Sequence, residues 1–431
     1  MHGYNNYSKK KTRKKLKKKY ILPLTAIVIL SLALGFYFLY NSGKNPATVD
    51  SPIADEPAPT EEYREVLLVA CGDIMVHPSQ LEGAKDRQTG EYDFSPSFEF
   101  IKEYIKKADL AVGNFETTLA GEERGFSGDP ARFNSPDALA RNLKDVGFDL
   151  MATANNHSLD RGASGLLRTI DVLQEAGLET FGTFRSPEER NTPLVVDVNG
   201  IKIAFLAYTD IINGMIIPAG QEYIINFIDL DADPQLEKTR NIFETDIAAA
   251  RKEGADIVAV YMHWGYEYKF TPNSWQERMA QILAETGADL ILGCHPHVIQ
   301  PMEYITTERD DGGSHRTFLV YSMGNFISNQ FHWPGVIPTE EVKYGLLMQI
   351  KLEKEMVSGD TRIKDVDYII TRVNRDWRHR IIPLHLLIDS TPETYKMPGH
   401  KYDRLLPVWN DIVQRLEGFE PAFKPQKFQA P

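Results

Sequence analysis

From residue 66 onward, short apolar runs alternate with amphipathic segments, and the runs keep ending on residues that can bind a metal ion. Residues 66–70 lead into Gly72-Asp73, 110–113 into Asn114-Phe115-Glu116, 149–153 into Asn155-Asn156-His157, 257–261 into His263, and 290–292 into His295-Pro296-His297. Runs this short and this rich in Val, Ile and Leu read as buried strands. Between them, residues 97–107, 137–146, 163–176, 238–252 and 276–286 carry apolar residues at helical spacing. Strands alternating with helices predict an α/β fold, and in such sheets ligand sites form beyond the C-terminal strand ends. Further strands are expected at 318–321, 344–352 and 366–373, and a hairpin at 194–198 and 201–208 around Asn199-Gly200. After residue 383 the chain reads as peripheral, with one helix at 405–416.

The first forty residues constrain placement rather than fold. Nine of the 48 Lys and Arg and none of the 60 Asp and Glu lie in residues 1–41, so the remainder carries a balance of −21. A body that acidic argues against nucleic acid as a partner. The basic run is followed by an uncharged apolar stretch at 20–40, long enough as a helix to cross a hydrocarbon core of about 30 Å. Basic residues stay on the cytoplasmic side, which puts everything after Asn41 outside the cell. A cleaved signal peptide is the rival reading. The expected organisation is a basic tail at 1–19, a transmembrane signal anchor at 20–41 and a Pro-rich acidic linker at 42–62. A folded domain at 63–385 and a peripheral extension at 386–431 follow. Cys71 and Cys294 are the two cysteines, and they read as small buried hydrophobes, with a disulfide as the alternative.

The strand-end residues form one candidate set: Asp73, Glu116, Asn156, His157, His263, His295 and His297. A carboxylate can bridge two cations, imidazoles suit Zn, Mn or Fe, and an amide oxygen can complete a shell. Two cations about 3.5–4 Å apart can stabilise both the attacking and the leaving oxygen of a phosphoryl transfer. Taken singly, each residue has a plainer explanation. Asp73 could cap a turn, Glu116 could be a loop acid, Asn155-Asn156 an Asx-turn and His263 a core histidine. Two histidines at His295-Pro296-His297, set between apolar strand and apolar Val298-Ile299, are harder to explain in that way.

Gly72-Asp73-Ile74-Met75, Asn114-Phe115-Glu116, Ala154-Asn155-Asn156-His157 with Asp160 and Gly162, His263-Trp264-Gly265, Gly293-Cys294-His295-Pro296-His297 and Tyr321-Ser322-Met323-Gly324-Asn325-Phe326 occur in this order. Together they resemble the signature of the CapA/PgsA family of capsule (poly-γ-glutamate) biosynthesis proteins, a branch of the calcineurin-like metallophosphoesterase superfamily. The resemblance implies a four-layer αββα sandwich holding one or two divalent metal ions (Mn, Zn or Fe). It gives Asp73 and His297 to the first metal, Glu116 to the bridge, and Asn156, His263 and His295 to the second. His157 would protonate the leaving group, oriented by Asp160. Apart from the resemblance, Arg161, Trp264, Tyr266 and Asn325 lie near these motifs and could contact substrate, with packing or loop support as the alternative. Two departures from the superfamily pattern stand out. Met75 occupies the histidine position of the first motif, and Glu116 replaces the bridging Asp; His77 is a candidate to compensate. The resemblance further implies a membrane-anchored role in polymer synthesis, export or anchoring, with other membrane subunits and an anionic polymer as partners. A metal-dependent hydrolase of envelope phosphoesters or amides, and a non-catalytic scaffold on the same fold, are the alternatives.

Overall fold

The structure, a computed structural model, describes residues 62–127, 132–309, 312–416, 418–419 and 421–426. The expected basic tail, membrane helix and linker up to residue 61 lie outside the described residues. Among the described residues no helix is long and apolar enough to cross a membrane.

Fourteen strands are described: β1 (Tyr63–Ile74), β2 (Leu110–Phe115), β3 (Leu150–Ala152), β4 (Glu179–Phe181), β5 (Leu194–Val198), β6 (Ile201–Thr209), β7 (Ile257–His263), β8 (Leu290–Cys294), β9 (Met302–Glu308), β10 (Ser314–Val320), β11 (Asn325–Ile327), β12 (Tyr344–Glu355), β13 (Thr361–Asn374) and β14 (Arg380–Pro383). They build two sheets, one in the order β14-β13-β12-β1-β2-β3-β4 with β11 added beside the end of β1, the other in the order β5-β6-β7-β8-β10-β9. Strands β1 to β4 run parallel, as do β6, β7, β8 and β10, so within each sheet these strands bring their C-terminal ends to one edge.

The two-residue period of a strand explains the layering. In β1, Val66, Leu68 and Ala70 enter the core shared by both sheets, whereas Val69 and Cys71 face outward under helices. In β6 and β7, Ile203, Phe205, Ala207, Ile257, Ala259 and Tyr261 enter that same core. Their alternates Ala204, Leu206, Tyr208, Val258, Val260 and Met262 face the helices Glu237–Lys252 and Ser274–Glu285. The helix Ala138–Val146 covers the other outer face through Leu139, Leu143 and Val146. The result is helix, sheet, sheet, helix, a mixed α/β sandwich. Each fully buried Leu, Ile or Phe stabilises it by about 1.5–3 kcal/mol. The Asn199-Gly200 turn closes the β5–β6 hairpin with both residues at positive φ, 53° and 81°.

Two expectations are corrected. The helix expected at 97–107 is two separate turns, Ser95–Phe98 and Lys102–Ile105. Phe98, Ile101 and Ile105 still reach one core, but Ser97 Oγ donates to the Arg378 carbonyl (3.1 Å) and ties the first turn to the connection between β13 and β14. The segment after residue 385 is not peripheral. The helices Leu384–Asp389 and Leu405–Arg415 add Leu387, Leu405, Trp409 and Ile412 to the central core, the first packing on β13 and β14. Arg415 also pairs with Glu341 (2.9 Å) and donates to the Ile299 carbonyl (3.1 Å), which ties this helix to the strand-end side of the domain.

Candidate metal centre

The candidate residues come from both sheets and meet. Asp73 is the penultimate residue of β1, Glu116 lies just past β2, Asn156 and His157 past β3, His263 closes β7, and His295 and His297 follow β8. Close approach at the end of β1 requires a glycine. The Asp73 N–H donates to the Gly324 carbonyl (3.1 Å), and a Cβ at Gly72 would sit 2.0 Å from that oxygen. The histidine loop is strained: His295 and His297 adopt φ of 94° and 58°. Non-glycine residues in that region cost on the order of 1–3 kcal/mol each and persist where the surroundings fix them, often at functional sites.

Glu116 is the centre of the arrangement. Its carboxylate is fully buried, with Oε1 3.7 Å from His263 Nε2, 3.9 Å from His157 Nε2 and 3.9 Å from His297 Nε2. Neither Glu116 oxygen accepts a hydrogen bond, and buried His295 Nδ1 is likewise without a partner. Asp73, by contrast, is well held: Oδ1 accepts from Asn114 Nδ2 (2.8 Å) and Oδ2 from His297 Nδ1 (3.0 Å). Asn114 Nδ2 also reaches His263 Nδ1 (3.2 Å), which turns His263 Nε2 toward Asn156 Oδ1 at 3.0 Å.

The electrostatics follow from burial. Desolvation, then the neighbouring Asp73 charge, pushes the Glu116 carboxyl well above its usual range. Burial pushes His263 well down, and burial with the neighbouring His297 takes His295 to about 4. Asp73 and His297 go the other way. Burial opposes charge on both, but their mutual hydrogen bond lowers Asp73 and raises His297.

These residues fit divalent cations. Two orphaned carboxylate oxygens and an orphaned imidazole nitrogen are costly in a dry interior, and a cation satisfies all of them. Three donor groups have their ligand atoms within 4.8 Å of one another: Asp73, Glu116 and His297; Glu116, His263 and His295; and Glu267, His295 and His297.

The remaining sequence candidates separate by what they touch. His157 Nδ1 bonds Asp160 Oδ2 (2.7 Å), which also accepts from the Phe133 N–H (2.5 Å), and the Phe133 ring lies 4.4 Å from the imidazole. Arg161 donates to the carbonyls of Asp160 (3.3 Å), Arg132 (3.2 Å) and Gly125 (3.4 Å), so its guanidinium supports loops. Asn325 accepts from His297 Nδ1 (3.1 Å) and donates to Gln330 (2.9 Å) and the Val342 carbonyl (2.8 Å), so its amide positions His297. His77 accepts from the Asn329 N–H (3.3 Å) and packs edge-on against Phe133; it belongs to none of the donor groups. Cys71 and Cys294 are buried free thiols, held protonated by burial. Sequence reasoning passed over Asn114, which joins Asp73 to His263, and Glu267. The signal for Glu267 was an acid four residues beyond His263 in a loop that starts at a strand end.

Residues 67–330 match the family model described as bacterial capsule synthesis protein PGA_cap. The chain belongs to that family. It is 26% identical to the capsule biosynthesis protein CapA of Bacillus anthracis over 345 residues, 78% of this chain and 74% of the relative. It is 30% identical to the PGA biosynthesis protein CapA of Bacillus subtilis over 252 residues, 58% of this chain and 60% of the relative. Among solved structures, the calcineurin-like phosphoesterase YfkN from Bacillus subtilis superposes with a TM-score of 0.37 at 14% identity, over 72% of this chain and 91% of the other. Every candidate ligand, and the His157–Asp160 pair, falls inside the segment that the PGA_cap model matches, whereas the C-terminal helices that complete the core lie beyond it.

Proposed function

We propose that this PGA_cap protein serves the synthesis, export or anchoring of an anionic capsule polymer, poly-γ-glutamate in kind, and holds one or two divalent cations at the strand ends. The buried Glu116 carboxylate, ringed by three imidazoles and bonded to none of them, carries the metal part of this reading. Family membership carries the capsule part. The basic run and the apolar stretch at 20–40 support a single-pass anchor with the folded domain outside the cell, alongside other membrane subunits of a polymer synthase. An ectodomain balance of −21 repels a polyanion at long range, so polymer contact would be local or mediated by bound cations.

Glu116, Asn156, His263 and His295 would hold one cation, and Asp73, Glu116 and His297 the other. Bound there, divalent cations polarise a phosphoryl or carbonyl oxygen and lower the pKa of water. The protein's own residues do the rest. Asp160 fixes the His157 ring through Nδ1 and leaves Nε2 facing Glu116, the side from which a proton can reach a leaving oxygen. Phe133 covers that ring and keeps bulk water off it. The ready-made acid beside the centre favours a second reading, a metal-dependent hydrolase of envelope phosphoesters or amides.

Deletion of the gene should abolish extracellular polymer, and wild type should restore it; unchanged polymer output would refute the capsule role. Restoration by a His157→Ala variant would assign a scaffold role, and failure of that variant alone would assign chemistry.

A further inference from the structure

We propose that Glu267 takes over the coordination position that Met75 leaves vacant, giving the first cation an oxygen-rich shell of Asp73, Glu116 and Glu267 with His297. This rests on the metal reading above and names a residue that the sequence pattern does not supply.

Met75 is buried, yet it joins none of the apolar clusters of the core. It stands two positions beyond Asp73, just past the end of β1, where its N–H donates to the Ile327 carbonyl (2.9 Å). A thioether is a poor ligand for a hard cation. The first position therefore has three protein donors and an unfilled side. Glu267 approaches from the loop after β7. Its Oε1 lies 3.9 Å from His297 Nε2, the same nitrogen that lies 3.9 Å from Glu116 Oε1. Glu267, His295 and His297 can bring their donor atoms within 4.8 Å of one another.

The placement is built rather than incidental. The Tyr268 N–H donates to the Pro296 carbonyl (2.8 Å), which ties the Glu267 loop directly to the histidine loop. Gln300 Nε2 holds the next carbonyl, Lys269 (2.8 Å), and Tyr268 adopts a φ of 63° to make the turn. The Glu267 side chain is 43% exposed, which places it at the mouth of an otherwise buried cluster and lets it swing onto a cation entering from solvent.

A carboxylate in place of an imidazole changes the chemistry of the position. The first shell becomes three oxygens and one nitrogen, against two and two at the second (Glu116, Asn156, His263, His295). Oxygen donors favour Mn²⁺ or Mg²⁺, and mixed shells with two imidazoles favour Zn²⁺ or Fe²⁺. The added negative charge also makes the first cation a weaker Lewis acid.

The test is Mn²⁺ binding to the purified domain, followed by elemental analysis, calorimetry and electron paramagnetic resonance, in wild type, Glu267→Gln and the double variant Met75→His/Glu267→Gln. Wild type should bind two Mn²⁺ with an exchange-coupled signal. Glu267→Gln should lose one equivalent, or weaken it at least tenfold, and give an uncoupled six-line spectrum, with circular dichroism unchanged. The double variant should regain the second equivalent. Two tightly held, coupled Mn²⁺ in Glu267→Gln would overturn the assignment while leaving the metal centre intact, as would a double variant that stays at one. A wild type that binds a single Mn²⁺ would remove the first position altogether, and one that binds none would remove the metal centre and this inference together.

Discussion

Replacing Glu116 by Gln separates a metal site from an ordinary buried network, because the two predict opposite signs. In the metal-free protein the Glu116 carboxyl is fully buried without a hydrogen bond, and burial together with Asp73 holds it well above its usual range. A carboxyl whose folded value exceeds its unfolded value of about 4.3 contributes stability below the unfolded value. That contribution is lost as pH rises toward the folded value. While the folded group keeps its proton and the unfolded one has lost it, each pH unit costs about 1.4 kcal/mol. Metal-free wild type should therefore lose stability through this group as pH rises from 6 to 8, and Glu116→Gln should be spared that loss. Cations reverse the order. At a free concentration of 100 Kd they stabilise wild type by about 2.7 kcal/mol, and the variant, without the shared carboxylate, should gain little. Urea unfolding at pH 6 and pH 8, in EDTA and in Mn²⁺, measures all four cases. The reasoning fails if Glu116→Gln is less stable than wild type by the same margin at both pH values in EDTA and gains as much from Mn²⁺.

Three further outcomes follow from the same geometry. His157→Ala should lower turnover of a generic phosphodiester by about 10²–10⁴-fold with metal content unchanged, and Asp160→Asn, which loosens the ring without removing it, should fall between; steady-state kinetics with elemental analysis checks both. Gly72→Ala puts a methyl group 2.0 Å from the Gly324 carbonyl, so the end of β1 must shift. Thermal unfolding should report a loss of about 1–3 kcal/mol, and metal content should drop with it. Burial raises Asp210 to about 7, with its Oδ1 unpartnered, so its contribution to stability is present at low pH and lost as pH rises through that value. Asp210→Asn should accordingly gain stability relative to wild type by on the order of 2 kcal/mol from pH 5 to pH 8, measured by urea titration.

The placement of the candidate ligands was legible because it is a local property. A run of alternating or uniformly apolar residues announces a strand, its end is marked by the first polar residue, and parallel strands gather their ends at one edge. Asp73, Glu116, Asn156, His263, His295 and His297 were all found that way, and the β5–β6 hairpin followed from two residues, Asn199 and Gly200. The helix expected at 97–107 failed for the complementary reason. Its apolar spacing specified what must be buried, and a distant carbonyl, that of Arg378, decided how the backbone would do it. The C-terminal helix shows the same limit: Leu405, Trp409 and Ile412 mark one face, but only packing against the helix Leu384–Asp389, itself seated on β13 and β14, makes that face part of the core.

The sequence by itself determined which side chains could bind metal, that they would sit at strand ends, and to which family the motifs belong. Tertiary structure alone decided how they are used. Asp73 meets the His295 N–H across 222 residues of chain, at 3.4 Å, and no local pattern encodes that approach. It also separated residues that look alike in sequence: Asp73 is satisfied by hydrogen bonds and Glu116 by none, Asn325 positions an imidazole, Arg161 holds loops, and Glu267 arrives from a turn pinned to the opposite loop. The physical reason is that strand and helix periodicity are set by neighbours in sequence, whereas desolvation and the choice of hydrogen-bond partner exist only once two sheets have packed face to face.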